Sequence, residues 1–415
     1  MRKPENSCPL VSIVIPVYNG ADYLKEAIDS ALMQDYENIE VLVINDGSKD
    51  DGATESVALS YGKKIRYFRK ENGGVASALN FGLSQMCGEY FSWLSHDDRY
   101  YPDKISKQIE MLNNRNLERG IVFSSYDVYN MNNDMLTSFL PHLSYSIDKL
   151  ETSVFSLLEG FLHFCSMLVP KEWLLECGGF DESLYATQDD EMCFKLFRKY
   201  PVIYSDRSAC VVRLHENQGS KNLPNIQQEK EKLWGSFVTR LADEEKIAMY
   251  GSKKAFYYAM CCFFFSTNMK NAYQYVLSCF KMYENDKVGQ EQKVRSYLKD
   301  RFKMDFSEIC IFGAGRYGIR TAIDLLSKGI KVNSFCDNNE KLWNKEILAG
   351  IPCISIKDIC GRKSEILVIL SLKQQSEVKH FLEKENFTYV ILREEIREVL
   401  GETEIEELWM EKKNH

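Results

Sequence analysis

The stretch VSIVIPVYN at residues 11–19 decides the fold of the first half of the chain. It begins as a short apolar run of β-forming residues, and a second such run, IEVLVI, follows at residues 39–44. Between them, apolar residues recur every three or four positions, as on one face of a helix. Further runs at residues 65–68 and 90–94 flank another helical segment. This alternation predicts an α/β fold with a largely parallel, nucleotide-binding type of sheet.

The chain is long enough for more than one domain. It has 415 residues, 45% of them hydrophobic, which exceeds what one average domain needs. Glycine, proline and strand patterns become rare over about residues 225–300, and a new strand–helix alternation begins with SEICIF at residues 307–312. We therefore predict an α/β domain over residues 1–224, a helical connector over 225–300 and a second, small α/β domain over 301–415.

Charge and cysteine usage exclude several classes of protein. The net charge of −8 argues against nucleic acid as a partner. The thirteen cysteines have no regular spacing, which is typical of reduced thiols rather than of disulfides or zinc ligands. The N-terminus turns polar after Lys3, so we expect no signal peptide, and the apolar run at residues 255–266 is too short to span a bilayer. We expect a cytoplasmic protein, with peripheral association at the inner face of the membrane as an alternative.

Polar residues follow the predicted strands of the first domain. Tyr18 follows the first strand and Asp46 the second, while Asp97 and Asp98 follow the fourth. Because ligand sites in open α/β sheets form beyond the carboxyl ends of the strands, we expect these residues at one edge. The Tyr18 ring can flank a planar base, and Asp46 can accept a hydrogen bond from a base N–H or a ribose hydroxyl. Asp46 also begins an ordinary Asp-Gly-Ser turn, so this motif is weak on its own.

The adjacent acids Asp97 and Asp98 predict a metal–diphosphate site. Two carboxylates at the mouth of a sheet repel each other unless a cation lies between them. Oxygen ligands suit Mg²⁺ or Mn²⁺, which would bridge the phosphates and neutralise charge on the departing nucleotide. A helix N-cap at Asp98 is the structural alternative, because Pro102 can begin a helix.

Four segments together resemble glycosyltransferase family 2. In chain order they are SIVIPVYN at 12–19, VINDGS at 43–48, ENGG at 71–74 and SHDD at 95–98. The resemblance covers residues 8–220 and implies a GT-A fold, a divalent cation and a nucleotide-sugar donor, usually with inversion at the anomeric carbon. It implies sugar transfer, with a UDP-sugar as the expected donor, in bacterial surface-polysaccharide or glycoconjugate synthesis. The acceptor stays open between a carbohydrate, a lipid-linked molecule and a protein.

The resemblance also assigns roles to single residues. Pro16, Tyr18 and Asp46 would hold the nucleoside, with Asp46 on the base. Asn72 and the two glycines after it would line the nucleotide pocket.

The metal motif of the family falls on the acidic pair. Ser95 stands where the fuller motif has a further acid, so the division of roles stays open, with Asp97 expected at the nucleotide and Asp98 at the metal. The segment RLHENQGS at residues 213–220 looks like the family's Arg-x-His segment, whose histidine, here His215, would complete the metal shell or contact the diphosphate.

The segment TQDDEMCFKL at residues 187–196 is similar to the one that supplies the family's catalytic base. Displacement at the anomeric carbon needs a carboxylate that takes the proton of the acceptor hydroxyl. The alignment puts Asp189 in that role and keeps Asp190 as the second candidate, because Gln188 stands where many members have Glu. The alternative is that these acids only favour a helix N-terminus through its dipole.

The glycine spacing of GAGRYG at residues 313–318 follows a predicted strand and opens a helix, as a dinucleotide fingerprint does. The candidate nucleotide site consists of Gly313, Gly315, Gly318 and Asp337. The segment FCDNN at 335–339 resembles small Rossmann-like domains fused to some bacterial sugar-modifying enzymes. That resemblance implies nucleotide or sugar binding, or assembly into a homo-oligomer, and a redox cofactor is a third alternative. For the whole chain, the rival function is a non-catalytic nucleotide-sugar-binding or assembly protein.

Overall fold

The computed structural model describes residues 8–115, 117, 119–216, 218, 225–281, 288–327, 330–348, 350–372, 375–393 and 395–396. The chain divides between Met249 and Tyr250 into two compact units. The predicted connector over residues 225–300 therefore begins in the first unit and continues in the second.

The first four strands of the first unit follow the predicted runs closely: β1 Val11–Val17, β2 Ile39–Asn45, β3 Arg66–Arg69 and β4 Tyr90–Trp93. The strands after them lie outside those runs: β5 Arg99–Tyr100, β6 Ile121–Asn130, β7 Met135–Phe139, β8 Met167–Pro170 and β9 Val202–Leu214. The helices between and after them are α1 Ala21–Leu32, α2 Ala53–Leu59, α3 Val75–Gln85, α4 Lys104–Asn114, α5 Ile147–Leu150, α6 Phe155–Leu158, α7 Lys171–Glu176, α8 Gln188–Lys199, α9 Ile226–Arg240 and α10 Asp243–Tyr250. The predicted α/β fold class is confirmed.

The sheet of the first unit has a parallel half and a mixed half. Its order is β3-β2-β1-β4-β8-β6-β9-β5, with β7 paired to β6. The four strands from β3 to β4 are parallel, so their carboxyl ends meet at one edge. Strand β8 is antiparallel to both β4 and β6, a feature that the sequence pattern did not predict.

The central strand β1 is buried along its whole length, and a proline near its end is tolerated for a geometric reason. The carbonyl of Val14 accepts from Leu94 on the β4 side, whereas the carbonyl of Val17 accepts from Asp46 on the β2 side. Because successive residues face opposite neighbours, Pro16 faces the β4 side, where β4 has already ended at Trp93. The missing N–H of Pro16 therefore falls just beyond the last β1–β4 pair, Val14 with Trp93, where a proline is tolerated.

The second unit is built around a smaller sheet. Its strands are β10 Glu308–Phe312, β11 Ser334–Cys336, β12 Glu346–Leu348, β13 Ile351–Ile354, β14 Ile366–Leu370 and β15 Val390–Leu392, and they lie in the order β12-β13-β11-β10-β14-β15. Its helices are α11 Lys253–Ser266, α12 Lys270–Lys281, α13 Val288–Phe302, α14 Arg316–Ser327, α15 Ile356–Cys360 and α16 Gln375–Lys384. All neighbouring strands are parallel except the β12–β13 pair. The five parallel strands follow the 3-2-1-4-5 order of doubly wound sheets.

Helix α11 carries the apolar run of the helical stretch, and ten consecutive residues from position 255 to 264 are buried. It packs against α12 and α14, and the Tyr258 hydroxyl donates to the carbonyl of Arg320 at 2.8 Å. The run is thus part of the core of the second unit. Within the described part of the chain, no helix is both long and apolar enough to cross a membrane.

The glycine at position 318 sets the distance between α14 and the end of β10. A Cβ at Gly318 would overlap the carbonyl oxygen of Gly313. We expect Gly318→Ala to lower the free energy of unfolding of the second unit by about 1–3 kcal/mol, because backbone must shift to make room. Chemical denaturation would measure the loss.

Gly315→Ala is the matched control, since a Cβ there meets nothing within 4 Å. Equal stability of the Gly318→Ala and Gly315→Ala variants would contradict the close contact at Gly318.

Candidate active site

The residue that follows β2, Asp46, organises the loop that follows β3. Its buried carboxylate accepts from the Lys70 ammonium at 2.7 Å and from the N–H groups of Gly73 and Gly74, the latter at 2.8 Å. The Asn72 side-chain amide donates to the carbonyl of Asp46 at 2.9 Å. The structure thus brings Asp46 and Asn72 together, as the sequence predicts, and it adds Lys70, which sequence reasoning missed because no motif marks it.

The end of β1 lies beside the same loop. Asn19 takes a left-handed conformation (φ 49°), and its N–H donates to the Ser48 hydroxyl at 2.9 Å. Its side-chain oxygen accepts from the N–H of Lys49 at 2.7 Å. The neighbouring Tyr18 is 43% exposed at this edge, whereas Pro16 is buried within the strand. The aromatic ring of Tyr18 is therefore available to a ligand, and Pro16 contributes through the backbone it shapes.

The two acids after β4 have different surroundings. The Asp97 carboxylate lies 3.0 Å from Nε2 of His215, which follows β9. The Asp98 carboxylate is buried and accepts from the backbone N–H of Arg213 at 2.9 Å. Burial raises the pKa of Asp98 well above its usual range, and the negative charge of Asp97 adds to the shift. Asp97 is thus on the histidine side of the turn, and Asp98 supports the turn from within.

The side chain of Arg213 joins β9 to the acidic turn. Its Nη1 donates to the carbonyl of Asp97 at 2.9 Å, and its Nη2 forms an ion pair with Glu26 of α1. The guanidinium carbon lies 5.4 Å from the centre of the Tyr23 ring, which in turn lies 5.1 Å from the His215 ring. The Arg-x-His segment of β9 therefore fixes both the turn after β4 and the histidine that faces it.

A second group of possible ligands lies behind the turn and was missed by the sequence analysis. The ligand atoms of Asp98, His163 and Cys165 all lie within 4.8 Å of one another. Burial lowers the pKa of His163 to about 4 and raises the pKa of the Cys165 thiol well above its usual range. This set contains a buried thiol and one carboxylate, a poor match for Mg²⁺ or Mn²⁺. Residues 163–165 reach Asp98 only because β8 pairs with β4, and no spacing in the sequence signals that pairing.

The predicted base segment begins helix α8, as expected. Burial raises the pKa of Asp189, and the N–H groups at the helix start oppose this shift in part. Burial also raises the pKa of Asp190 to about 7, with the neighbouring Asp189 charge as the second cause. The indole N–H of Trp234 donates to the Asp190 carboxylate at 2.9 Å. On the same helix, Cys193 lies 3.8 Å from the sulfur of Met167 in β8, the strand paired with β4.

In the second unit, the residues of the candidate nucleotide site lie together, but the carboxylate of Asp337 already accepts hydrogen bonds from the protein. The Asp337 carboxylate accepts from the N–H of Ala314 at 2.8 Å and from the N–H of Asn339 at 2.8 Å. The loop of Gly313 and Gly315 therefore lies against the end of β11, as the sequence predicts. The carboxylate oxygens bind the protein's own backbone.

The parallel strand ends and the acids that follow them define an α/β protein of the nucleotide-binding type. Residues 12–178 match the family described as "Glycosyl transferase family 2". An uncharacterized glycosyltransferase of Rickettsia bellii is 40% identical over 393 residues, which are 92% of this chain and 56% of that protein. The uncharacterized glycosyltransferase RT0329 of Rickettsia typhi is 41% identical over 331 residues, 80% of this chain and 99% of that protein.

A more distant relative is the hyaluronan synthase of Pasteurella multocida, 33% identical over 194 residues, which are 46% of this chain and 19% of that protein. The chain spans about half the length of the first Rickettsia relatives, between 41% and 56%. It belongs to glycosyltransferase family 2.

The contacts of the Arg213 guanidinium with Glu26 and with the Asp97 carbonyl form a clamp. This clamp can be tested by a substitution that keeps the positive charge. Arg213→Lys should lower the free energy of unfolding by about 1–3 kcal/mol, because one ammonium cannot hold both Glu26 and the Asp97 carbonyl. Denaturant titration would measure the loss. Arg119→Lys is the control, since Arg119 pairs with Glu172 at the surface and should lose less than about 1 kcal/mol. Similar losses in both variants would contradict the clamp.

Proposed function

We propose that the protein is a metal-dependent, inverting glycosyltransferase that moves a sugar from a nucleoside-diphosphate-sugar to an acceptor hydroxyl. The observation that carries this proposal is the approach of Asp97 and His215, 3.0 Å apart, at the sheet edge where Asp46 also lies. A carboxylate, an imidazole and a polar nucleoside pocket at one edge match the needs of a diphosphate donor. We propose UDP as the nucleotide, as the family resemblance implies.

The residues present fit a divalent cation held by Asp97 and His215. A carboxylate and an imidazole suit Mn²⁺, whereas Mg²⁺ prefers oxygen ligands alone. From the sequence, Asp98 is the expected metal ligand. We prefer Asp97 for this role, because the Asp98 carboxylate is buried and already accepts a hydrogen bond from the backbone N–H of Arg213. The bound cation would neutralise the charge that develops on the departing nucleoside diphosphate.

The protein's own residues would bind the donor and move one proton. We propose that the Tyr18 ring flanks the base and that Asp46, with Asn72, shapes and lines the nucleoside pocket. Asp189 would take the proton of the acceptor hydroxyl as its oxygen attacks the anomeric carbon, which gives inversion. Asp190 is less suited to this task, because its carboxylate is held by Trp234.

We place the reaction in bacterial surface-polysaccharide or glycoconjugate synthesis, in the cytoplasm, with a carbohydrate as the preferred acceptor. The relative named hyaluronan synthase supports a saccharide product. Lipid-linked and protein acceptors, and peripheral binding to the membrane, are the alternatives. The rival function, non-catalytic nucleotide-sugar binding, predicts donor binding without turnover.

For the second unit we prefer assembly over nucleotide binding, because the Asp337 carboxylate already accepts two backbone N–H groups. This preference predicts a homo-oligomer of the full chain in light scattering. A monomer that binds a nucleotide when the first site is disabled by Asp97→Asn would reverse it.

The proposed base can be tested by an isosteric change. Asp189→Asn should lower transfer by about 10²–10⁴-fold, because the amide cannot take the proton, while donor binding measured by calorimetry stays near the wild-type value. Asp206→Asn, at an exposed position on β9, is the matched control and should transfer like the wild type. Unchanged turnover in Asp189→Asn would move the role to Asp190.

The donor and the metal can be tested together without knowing the acceptor. We expect slow nucleotide release from one class among UDP-, GDP- and dTDP-sugars with Mn²⁺ or Mg²⁺, and none with EDTA. Asp97→Asn should abolish metal-dependent donor binding. If Asp98→Asn abolishes it and Asp97→Asn does not, the ligand is Asp98 instead. Absence of donor binding and of release across the panel would favour the assembly protein.

A further inference from the structure

Helix α9 fastens the segment that leads into the base-bearing helix. The carboxylate of Glu229, in the first turn of α9, accepts from the backbone N–H groups of Tyr185 and Ala186, both at 2.9 Å. It also accepts from the Thr187 hydroxyl at 2.8 Å. One side chain thus fixes three consecutive residues directly before the start of α8. The loop has little freedom to change the place where α8 begins.

The rest of α9 lies along α8 itself. Trp234 donates to Asp190, and the Phe237 ring stacks on Phe194 with centres 4.3 Å apart. Arg240 binds both carboxylate oxygens of Glu191 at 2.6 and 2.9 Å. At about 100° per residue, the side chains of Glu229, Trp234, Phe237 and Arg240 fall within an arc of about 140°. One face of α9 therefore makes all of these contacts. The first turn of α8 contains three acids, and these contacts involve Asp190 and Glu191 but not Asp189.

We infer that α9 is a positioning element for the proton-accepting carboxylate, and that Trp234 is a positioning residue whose indole N–H favours the charged form of the Asp190 carboxylate beside Asp189. The inference rests on the proposed function and adds to it a part of the chain beyond the four family motifs. Asp189 stays the catalytic residue, and Trp234 acts on it only through Asp190.

The chemistry of the step explains why a fixed neighbouring charge helps. The acceptor O–H bond breaks and its proton moves to Asp189. The oxygen electron pair forms the new bond to the anomeric carbon, and the bond to the diphosphate breaks with its pair on the leaving oxygen. Before transfer, the charges of Asp189 and Asp190 repel each other; protonation of Asp189 relieves that repulsion. An Asp190 charge held by a neutral N–H donor therefore makes Asp189 a better proton acceptor.

The charged groups that face the pair come from α9 and from α8. Lys230 favours the ionised form of both acids, and Glu229 opposes ionisation of Asp189. Glu191 is paired with Arg240. The Trp234 N–H lowers the pKa of Asp190, against the rise caused by burial and by Asp189. Loss of the indole N–H must therefore raise the pKa of the Asp189–Asp190 pair, and transfer activity must fall first at low pH.

Trp234→Phe tests the inference, since it keeps an aromatic side chain and removes the indole N–H. We expect the acidic limb of the pH profile of kcat for transfer to move to higher pH by roughly one unit. This shift corresponds to the free energy of a hydrogen bond to a charged group. Transfer at pH 6 should fall about tenfold, and transfer at pH 9 should approach the wild-type rate. The KM for the donor should stay the same, because the change removes a hydrogen bond to Asp190, which is not among the residues proposed to bind the donor.

Phe237→Leu is the matched control, because it loosens the same helix pair without touching a carboxylate. It should lower the melting temperature and leave the position of the acidic limb unchanged. A uniform loss of transfer at every pH in Trp234→Phe, or the same limb shift in Phe237→Leu, would overturn the inference in favour of simple packing.

A direct titration separates this inference from the proposed function. Carboxyl ¹³C NMR of the full chain follows the ionisation of Asp190 without any substrate, and Trp234→Phe should move it to higher pH. An unchanged titration would overturn the positioning role even if the enzyme transfers sugar normally. Failure of the wild type to transfer any sugar would overturn the proposed function, and the catalytic part of the inference with it.

Discussion

The contacts of Arg213 hold the candidate site together, because they join three separate parts of the first unit. Its backbone N–H binds Asp98, its guanidinium binds the carbonyl of Asp97, and its second arm reaches Glu26 of α1. The buried guanidinium needs its two partners, the Asp97 carbonyl and Glu26, since an unpaired charge inside a protein is costly. The same strand places His215 two residues later, so the packing that satisfies Arg213 also sets the distance between His215 and Asp97.

The two halves of the first sheet position different parts of the candidate site. The parallel half brings the ends of β1, β2, β3 and β4 to one edge, where the residues proposed to bind the nucleoside and the diphosphate lie. The mixed half supports the segment of the proposed base, because β8 pairs with β4 and contacts α8 through Met167 and Cys193. In the proposed function, the nucleoside residues therefore depend on the parallel half and the base depends on the mixed half, whereas His215, which follows β9, brings the mixed half to the proposed metal site as well.

Local pattern predicted much of this arrangement, and long-range pairing limited the rest. The strands that carry Tyr18, Asp46 and the acidic pair follow from short apolar runs and helical spacing, which depend only on neighbours in sequence. The proximity of Cys165 to Asp98 and of Trp234 to Asp190 depends on antiparallel pairing and on helix packing between distant segments. Neither leaves a spacing that a single sequence can reveal.

The contacts of α9 with α8 extend the proposed catalytic part of the chain beyond the family-like segments. The matched family region stops at residue 178, and the last family-like segment ends near residue 220, yet Glu229, Trp234 and Arg240 come later. A chain cut at residue 224 would keep every segment that resembles glycosyltransferase family 2 and lose all of these contacts to α8. In protein engineering, a transplant that includes α8 should therefore carry the chain to at least residue 240.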